Sequence, residues 1–230
     1  MASWIPFTWS IRKCSARVMV ELPRQLDEDL IWAEFFSAPR QAPALFLDRD
    51  GVMVEDVHYL HEVDKVRFFP GLFDTIKWAK ELGWHVVIVT NQAGIGRGKF
   101  AWPDYVQVHN YILQEMRNAG AMVDGVMACP FIDNGIAPFD HPNHPARKPN
   151  PGMLLKAAVA LDIDLPNSWI VGDKAADIEA GAKAGLAGGA LVSTGYGGEE
   201  LAKAQTFATA NYQVKSADTV AEIAKGVIPA

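Results

Sequence analysis

Three features that would assign this chain to a specialised class of protein are scarce in its sequence. Only two cysteines, Cys14 and Cys129, occur among 230 residues, so a disulfide framework is excluded and we expect a reducing, cytoplasmic setting. No apolar run approaches the roughly 20 uninterrupted residues of a membrane-spanning helix, so we expect no membrane partner. Basic residues are outnumbered, since 21 Lys and Arg face 27 Asp and Glu and give a net charge of −6. That balance disfavours nucleic acid as a partner.

The remaining composition is that of an ordinary globular protein. Hydrophobic residues make up 50% of the chain and charged residues 21%, which excludes the disordered and fibrous classes. A chain of 230 residues can form one large domain or two small ones.

The N-terminal segment differs from the rest of the chain in its charge. Residues 1–20 contain no acid, but they lack the compact apolar stretch and cleavage site of a targeting segment. Their basic residues are Arg12, Lys13 and Arg17. We predict a poorly ordered extension over 1–20 and a helix over 26–36. These segments form an N-terminal extension over 1–43, which precedes a single domain over 44–230.

From residue 44 onward, short apolar runs rich in β-branched residues alternate with segments of helical periodicity. The predicted strands are 44–47, 84–90, 124–129, 168–173, 188–194 and 212–214, and the predicted helices are 72–82, 103–120, 151–161, 175–184 and 218–225. This order is typical of βαβ units, so we expect an α/β fold, a Rossmann-like three-layer sandwich with a mainly parallel sheet.

Ligands of such sheets bind beyond the carboxyl ends of the strands, so the residues that follow each strand are the candidate site. The first strand is followed by Asp48, Arg49, Asp50 and Gly51. Since Gly51 lets the chain turn, the two carboxylates can converge on one point. An exposed turn rich in Asp and Gly is the alternative.

The second strand and the loop before the third helix offer groups that bind anions. The second strand leads into Thr90, Asn91 and Gln92, whose hydroxyl, amides and backbone N–H groups suit phosphate oxygens. The glycines that follow do not complete a dinucleotide fingerprint, because Lys99 occupies the position of the third glycine. The loop carries Arg147 and Lys148, which would attract an anion; a solvated basic loop is the alternative.

The fourth strand is followed by Asp173, Lys174 and, in the first turn of the next helix, Asp177. Helix capping by itself explains either aspartate. It does not explain why acids, a lysine and a hydroxyl recur at the same edge of one sheet.

Together these segments resemble the haloacid dehalogenase-like phosphatase family. Its four motifs match DRDG at 48–51, Thr90, Lys148 and GDKAAD at 172–177. The strings FLDRDG, TNQAGIGRGKF, RKPNPGM and VGDK are similar to the branch that acts on heptose 1,7-bisphosphate or histidinol phosphate. The irregular chain between Thr90 and Lys148 is too short for a large cap domain, so the segment after Asp50 is the expected flap.

The resemblance implies a phosphomonoesterase that works through an aspartyl-phosphate. Asp48 would be the nucleophile and Asp50 the general acid and base, while Thr90 and Lys148 would hold the transferring phosphoryl group. Mg²⁺ would be bound by Asp48, the Asp50 carbonyl and Asp173, with Asp177 orienting neighbours such as Lys174.

The same resemblance places Asp56 and Tyr59 of the flap on the substrate. We expect further substrate contacts at Asn91, Gln92, Arg97, Arg147 and Lys174. The cations among them suit a ligand with more than one negative charge. We therefore expect a small phosphorylated sugar as partner, with heptose 1,7-bisphosphate ahead of histidinol phosphate, whose amine the cations would repel.

Two departures from the family pattern bear on these expectations. Val52 stands where a threonine is usual. Cys129 and His144 match the zinc-binding loop of some relatives, but Phe131 and Ala146 do not, and His141 brings the Cys and His donors only to three. A fourth donor from Asp133 or Asp140 is the alternative. We therefore expect Mg²⁺ and no structural Zn²⁺.

Two other kinds of protein compete with this reading. We expect a monomeric enzyme. The main alternative is a protein that binds a phosphosugar without turning it over. The retention of both Asp48 and Asp50 disfavours that alternative. Nucleotide-dependent kinases and dehydrogenases are disfavoured because their glycine-rich motifs are missing.

Overall fold

A computed structural model describes residues 25–229 together with the strands Trp9–Ile11 (β1) and Glu21–Pro23 (β2). β1 and β2 pair antiparallel in a small separate sheet. The basic residues of the predicted extension, Arg12, Lys13 and Arg17, lie outside the described residues. Among the described residues no helix is long and apolar enough to cross a membrane.

A seven-stranded sheet in the order β3-β6-β5-β4-β7-β8-β9 forms the centre of the fold. Its strands are β3 (Trp32–Phe35), β4 (Ala44–Leu47), β5 (His85–Asn91), β6 (Gly125–Cys129), β7 (Trp169–Gly172), β8 (Gly188–Val192) and β9 (Gln213–Ala217). All neighbours pair parallel except β3 and β6. Every residue of β4, β6, β7 and β8 is buried, so both faces of the sheet are covered.

The helices that connect the strands are α1 (Leu72–Glu81), α2 (Ala93–Gly96), α3 (Trp102–Asn118), α4 (Gly152–Leu161), α5 (Ala175–Ala184) and α6 (Gly197–Gln205). Short 3₁₀ helices cover Val63–Lys65, Leu165–Asn167 and Val220–Lys225. α1 shows why these segments are helical: Leu72, Ile76 and Ala79 recur at helical spacing and are buried together. The predicted α/β sandwich is confirmed, and the described chain inserts no large cap domain between its strands and helices.

The predicted helix over 26–36 is wrong. Leu30 has a φ of 60°, which interrupts a right-handed helix, and Asp27 closes a turn by accepting hydrogen bonds from the N–H groups of Asp29 and Ile31. Residues 32–35 then form β3, the antiparallel edge of the sheet. Main-chain pairing with β6 outweighs the local helical pattern. The division of the chain at residue 43 stays a prediction.

The sheet brings the candidate residues to one edge because β5, β4, β7 and β8 are consecutive parallel neighbours. Asp48 directly follows β4, Thr90 lies near the end of β5, and Asp173 directly follows β7. The carboxyl ends of these strands therefore meet at the crevice where ligands bind in such folds.

We predict that Trp32→Ala lowers the free energy of unfolding by about 3–5 kcal/mol. The Trp32 ring is fully buried, stacks on Trp102 with ring centroids 5.8 Å apart and meets Tyr105 edge-on at 5.3 Å. Urea unfolding measures the change. Phe36→Ala is the control, since that ring is 42% exposed, and an equal loss in both variants would contradict the prediction.

Candidate active site

A cleft of about 280 Å³ opens over the carboxyl ends of β4 and β5. Most of the predicted site residues line it: Asp48, Asp50, Asp56, Tyr59, Thr90, Asn91, Gln92, Arg147, Lys148, Lys174 and Asp177. A larger open groove of about 750 Å³ runs from His61 to Tyr111 and is lined by none of them. The predicted chemistry is therefore gathered in one place.

The ammonium of Lys148 lies at the floor of this cleft between two buried carboxylates. Its Nζ lies 2.8 Å from Asp48 Oδ1 and 2.6 Å from Asp177 Oδ1, and it donates to the Val89 carbonyl at 2.7 Å. Burial lowers the pKa of Lys148, but Asp177 and Asp48 outweigh it and raise the pKa overall. Lys148 is therefore a cation fixed in place at any physiological pH.

Asp173 completes a cluster of three buried carboxylates. Among the described residues, Asp48, Asp173 and Asp177 form the one set of three potential metal ligands with donor atoms within 4.8 Å of one another. Asp173 Oδ1 is buried and finds no hydrogen-bond partner within the described chain. Burial, followed by the charges of Asp48 and Asp177, raises the pKa of Asp173 to about 7. The cluster thus has an excess of negative charge and a free oxygen, which suits a cation.

Two glycines make room for the Asp173 carboxylate. Gly51 and Gly195 have φ values of 85° and 61°, and a Cβ on either would overlap the Asp173 carboxylate. The turns after β4 and β8 therefore pack directly on it. The backbone N–H of Tyr196 donates to Asp173 Oδ2 at 3.1 Å. The turn at Gly195 was not among the predicted site segments, although it follows a predicted strand.

The carboxylate of Asp50 is held from one side by its sequence neighbour. Arg49 Nε donates to Asp50 Oδ1 at 2.9 Å and Arg49 Nη2 donates to Oδ2 at 2.8 Å. Gln92 Nε2 donates to the same Oδ2 at 3.0 Å and to the Thr90 hydroxyl at 2.8 Å. Burial raises the pKa of Asp50, while Arg49 opposes the rise. The charge of Asp50 is thus partly compensated within the protein.

The rim of the cleft combines charge with aromatic surface. Lys174 Nζ lies 3.4 Å from Asp56 Oδ2 and 4.5 Å from the centre of the Tyr196 ring. Burial lowers the pKa of Lys174, but Asp173 and the other nearby carboxylates outweigh it and raise the pKa overall. Tyr59 lines the same rim with a φ of 68°. Tyr196 was not among the predicted site residues.

The basic loop is tied to the end of β5. The Asn91 amide donates to the Lys148 carbonyl at 3.0 Å, and the Lys148 N–H donates back to Asn91 Oδ1 at 3.1 Å. Arg147 Nη1 donates to the Phe131 carbonyl at 2.9 Å and still lines the cleft. These contacts hold both cations of the loop at the cleft.

Arg97 and Asp173 are the predicted site residues that do not line the cleft, and Gln92 and Asp177 line it while bound to other residues of the site. Arg97 is exposed and does not line the cleft. Gln92 reaches the cleft, but it is buried and its amide is engaged by Asp50, Thr90 and Arg49. Asp177 binds Lys148 and accepts a hydrogen bond from the Lys174 N–H at 3.0 Å, while its orienting role stays a prediction.

The residues considered for zinc lie in the loop after β6. Cys129 is buried, which raises the pKa of its thiol to about 12. The His144 ring stacks on the Phe131 ring with centroids 3.9 Å apart, and His144 Nδ1 accepts a hydrogen bond from the Ala146 N–H. Cys129, His141 and His144 are not among the described sets of three close donors. The absence of a structural zinc stays a prediction.

Comparison with known proteins relates this arrangement to one family. Residues 145–222 match the family profile described as HAD-hydrolase-like. The chain is 44% identical to the D-glycero-β-D-manno-heptose-1,7-bisphosphate 7-phosphatase of Mesorhizobium japonicum. The alignment spans 173 residues and covers 74% of this chain and 80% of the relative. The enzyme of the same name from Pasteurella multocida is 36% identical over 184 residues, 80% of this chain and 97% of the relative.

Solved structures give the same result. A HAD-like phosphatase of Mesorhizobium loti superposes with a TM-score of 0.75 and 36% identity over 86% of this chain and 92% of that one. The D,D-heptose 1,7-bisphosphate phosphatase of B. bronchiseptica, complexed with magnesium and phosphate, superposes with a TM-score of 0.68 and 31% identity. That match covers 80% of this chain and 96% of the neighbour.

We predict that the contribution of Asp173 to the stability of the metal-free protein falls as the pH rises from about 4 to 7. Asp173 titrates near its usual value in the unfolded chain and at about 7 in the folded one, so folding takes up a proton in this range. One such proton contributes at most about 1.4 kcal/mol per pH unit. Urea unfolding in the presence of a chelator should show that the stability of Asp173→Asn, relative to that of wild type, increases as the pH rises through this range.

Asp74→Asn is the control for this prediction, because the Asp74 side chain is 85% exposed. Its pH dependence should match that of wild type. A slope that Asp173→Asn leaves unchanged would contradict the prediction.

Proposed function

Because the chain belongs to the haloacid dehalogenase-like hydrolases, we propose that it is a Mg²⁺-dependent phosphatase that releases phosphate from a small phosphorylated sugar. The observation that carries this proposal is the buried cluster at the strand ends. There Lys148 is paired with Asp48 and Asp177, while Asp173 keeps an oxygen without a partner within the described chain. A cluster of this kind suits the binding and transfer of a phosphoryl group.

Asp48 is the proposed nucleophile. One of its oxygens binds Lys148, which orients the carboxylate and leaves the other oxygen for attack on phosphorus. The bond from phosphorus to the leaving oxygen breaks as the aspartyl-phosphate forms. Water then attacks phosphorus, releases inorganic phosphate and restores the Asp48 carboxylate. The Thr90 hydroxyl binds an oxygen of the transferring group, and Lys148, which also lines the cleft, places its positive charge beside that group.

Asp50 is the proposed general acid and base. It gives a proton to the alkoxide that leaves in the first step and takes one from the attacking water in the second. Burial raises the pKa of Asp50, which supports the protonated form that the first step requires. The residue therefore returns to its starting state in each cycle.

Mg²⁺ fits the carboxylate cluster. The buried Asp173 oxygen that lacks a partner in the described chain offers a hard oxygen ligand. Burial, followed by the charges of Asp48 and Asp177, raises the pKa of Asp173, and a bound cation would offset that charge. We propose that Asp48, the Asp50 carbonyl and Asp173 hold the ion, while Asp177 is reserved for Lys148. When bound, the ion supplies positive charge that offsets the charge of the phosphoryl oxygens.

The proposed substrate is a heptose 1,7-bisphosphate, as the names of the relatives indicate for those proteins. Arg147 and Lys174 line the cleft in addition to Lys148, so cations are present for a second phosphate. Asp56 and Tyr59 complete the proposed substrate contacts. Histidinol phosphate is the second candidate. The monomeric state, the cytoplasmic location and the lack of nucleic-acid and membrane partners stay predictions.

We predict that Asp48→Asn lowers kcat at least about a thousandfold, because a neutral amide does not attack phosphorus. Release of inorganic phosphate from the heptose bisphosphate with Mg²⁺ measures the effect. Asp74→Asn, at an exposed site, is the matched control and should keep the activity of wild type. Activity near that of wild type in folded Asp48→Asn would refute the assignment, and an inactive wild-type enzyme would refute the proposed function.

We also predict that kcat/KM is higher for the heptose bisphosphate than for histidinol phosphate. The cations of the cleft attract a second phosphate and repel the amine of histidinol. Phosphate release from both compounds under the same conditions gives the ratio. A preference for histidinol phosphate would reverse the ranking.

A further inference from the structure

The Arg49 side chain is buried beneath the cleft. Its place in the sequence between Asp48 and Asp50 does not explain why it is buried there. Only 3% of the residue is exposed, and its guanidinium forms a two-pronged contact with the Asp50 carboxylate at 2.9 and 2.8 Å. Arg49 Nη2 also donates to Gln92 Oε1 at 3.2 Å. The guanidinium carbon lies 5.7 Å from the centre of the Tyr105 ring. Three side chains, Asp50, Gln92 and Tyr105, thus surround this one cation.

Stability alone is a weak reason for such an arrangement. A buried guanidinium loses its hydration, and a buried ion pair often stabilises a fold no better than apolar residues of the same size. In addition, Arg49 Nη1 is buried with no hydrogen-bond partner in the described part of the chain. The contacts that Arg49 does make are concentrated on the Asp50 carboxylate and on Gln92, which itself donates to Asp50.

We infer that Arg49 is a positioning residue, whose planar guanidinium, supported by Gln92 and Tyr105, fixes the Asp50 carboxylate in the orientation needed for proton transfer to the leaving oxygen. The inference rests on the proposed function and adds a role to it. Two parallel hydrogen bonds restrict both side-chain torsions of Asp50, which a single contact does not do.

The hydrogen bonds also distinguish the two oxygens of Asp50. Oδ2 accepts hydrogen bonds from Arg49 Nη2 and Gln92 Nε2, whereas Oδ1 accepts one from Arg49 Nε. A carboxylate oxygen has about two acceptor positions, so Oδ2 is fully engaged and Oδ1 keeps one position free. The geometry therefore leaves Oδ1 as the oxygen available to the substrate.

The test compares two leaving groups in wild type, Arg49→Met and Arg49→Lys. A nitrophenolate leaves without protonation, whereas a sugar alkoxide requires the proton of Asp50. In both variants we expect nitrophenyl phosphate to give a rapid burst of nitrophenolate equal to the enzyme concentration, followed by slow turnover. Release of sugar from the heptose phosphate should slow about a hundredfold or more in its first turnover, with KM changed less than kcat.

Arg49→Lys separates geometry from charge, because lysine keeps the charge but cannot form the two-pronged contact. Activity of wild type in Arg49→Lys would overturn the inference. Val106→Ala is the control for a general loss of core packing, since Val106 is buried and lies beside Tyr105 in sequence. Val106→Ala should change the rate of the first turnover by the same factor for both substrates. If Arg49→Met also changes both rates by the same factor, the inference is overturned.

A crystal structure of each folded Arg49 variant tests the inference without reference to activity. We expect the Asp50 carboxylate to occupy a new or a second conformation in both. If the Asp50 carboxylate keeps its conformation in the variants, the inference is overturned regardless of their activity. Phosphate release by wild type tests the proposed function alone, so the two failures are distinguishable.

Discussion

The contact of the Lys148 ammonium with two buried carboxylates is the interaction on which the rest of the site depends. The carboxylates of Asp48, Asp173 and Asp177 are all buried, and their ligand atoms lie within 4.8 Å of one another. Such charges repel strongly there unless cations offset them. Lys148 binds Asp48 and Asp177 directly, whereas Asp173 has only the more distant Lys174, 3.8 Å from its Oδ2, and its Oδ1 has no partner within the described chain. This distribution of charge explains why the cluster suits both a divalent cation and the transfer of a phosphoryl group.

A second line of contacts connects the edge of the sheet to the proposed acid and base. Trp32 of β3 packs against Tyr105, the Tyr105 ring lies beside the Arg49 guanidinium, and Arg49 holds Asp50. The edge strand is therefore part of the support of the site as well as of the sheet. Because closely packed protein interiors deform little, the position of Trp32 influences the positions of Tyr105 and Arg49.

Local patterns failed where a distant partner decided the structure. Residues 26–36 have a helical pattern, yet residues 32–35 pair with β6 as an edge strand. The sequence of the segment itself does not indicate that pairing. Arg97 was expected to contact the substrate as one of several cations near the site. The short helix α2 and the turn after it leave Arg97 exposed instead. Neither outcome could be inferred from neighbouring residues.

The alternation of apolar runs and helical periodicity determined the α/β fold, because parallel strands buried on both faces require such sequences. The polar residues after each run determined the chemistry of the candidate site, since parallel strands end at one edge of the sheet. Only the tertiary structure decided that Lys148 pairs with Asp48 and Asp177, and that Arg49 turns inward onto Asp50. Those choices depend on distances of a few ångströms between segments far apart in the chain, which no local pattern encodes.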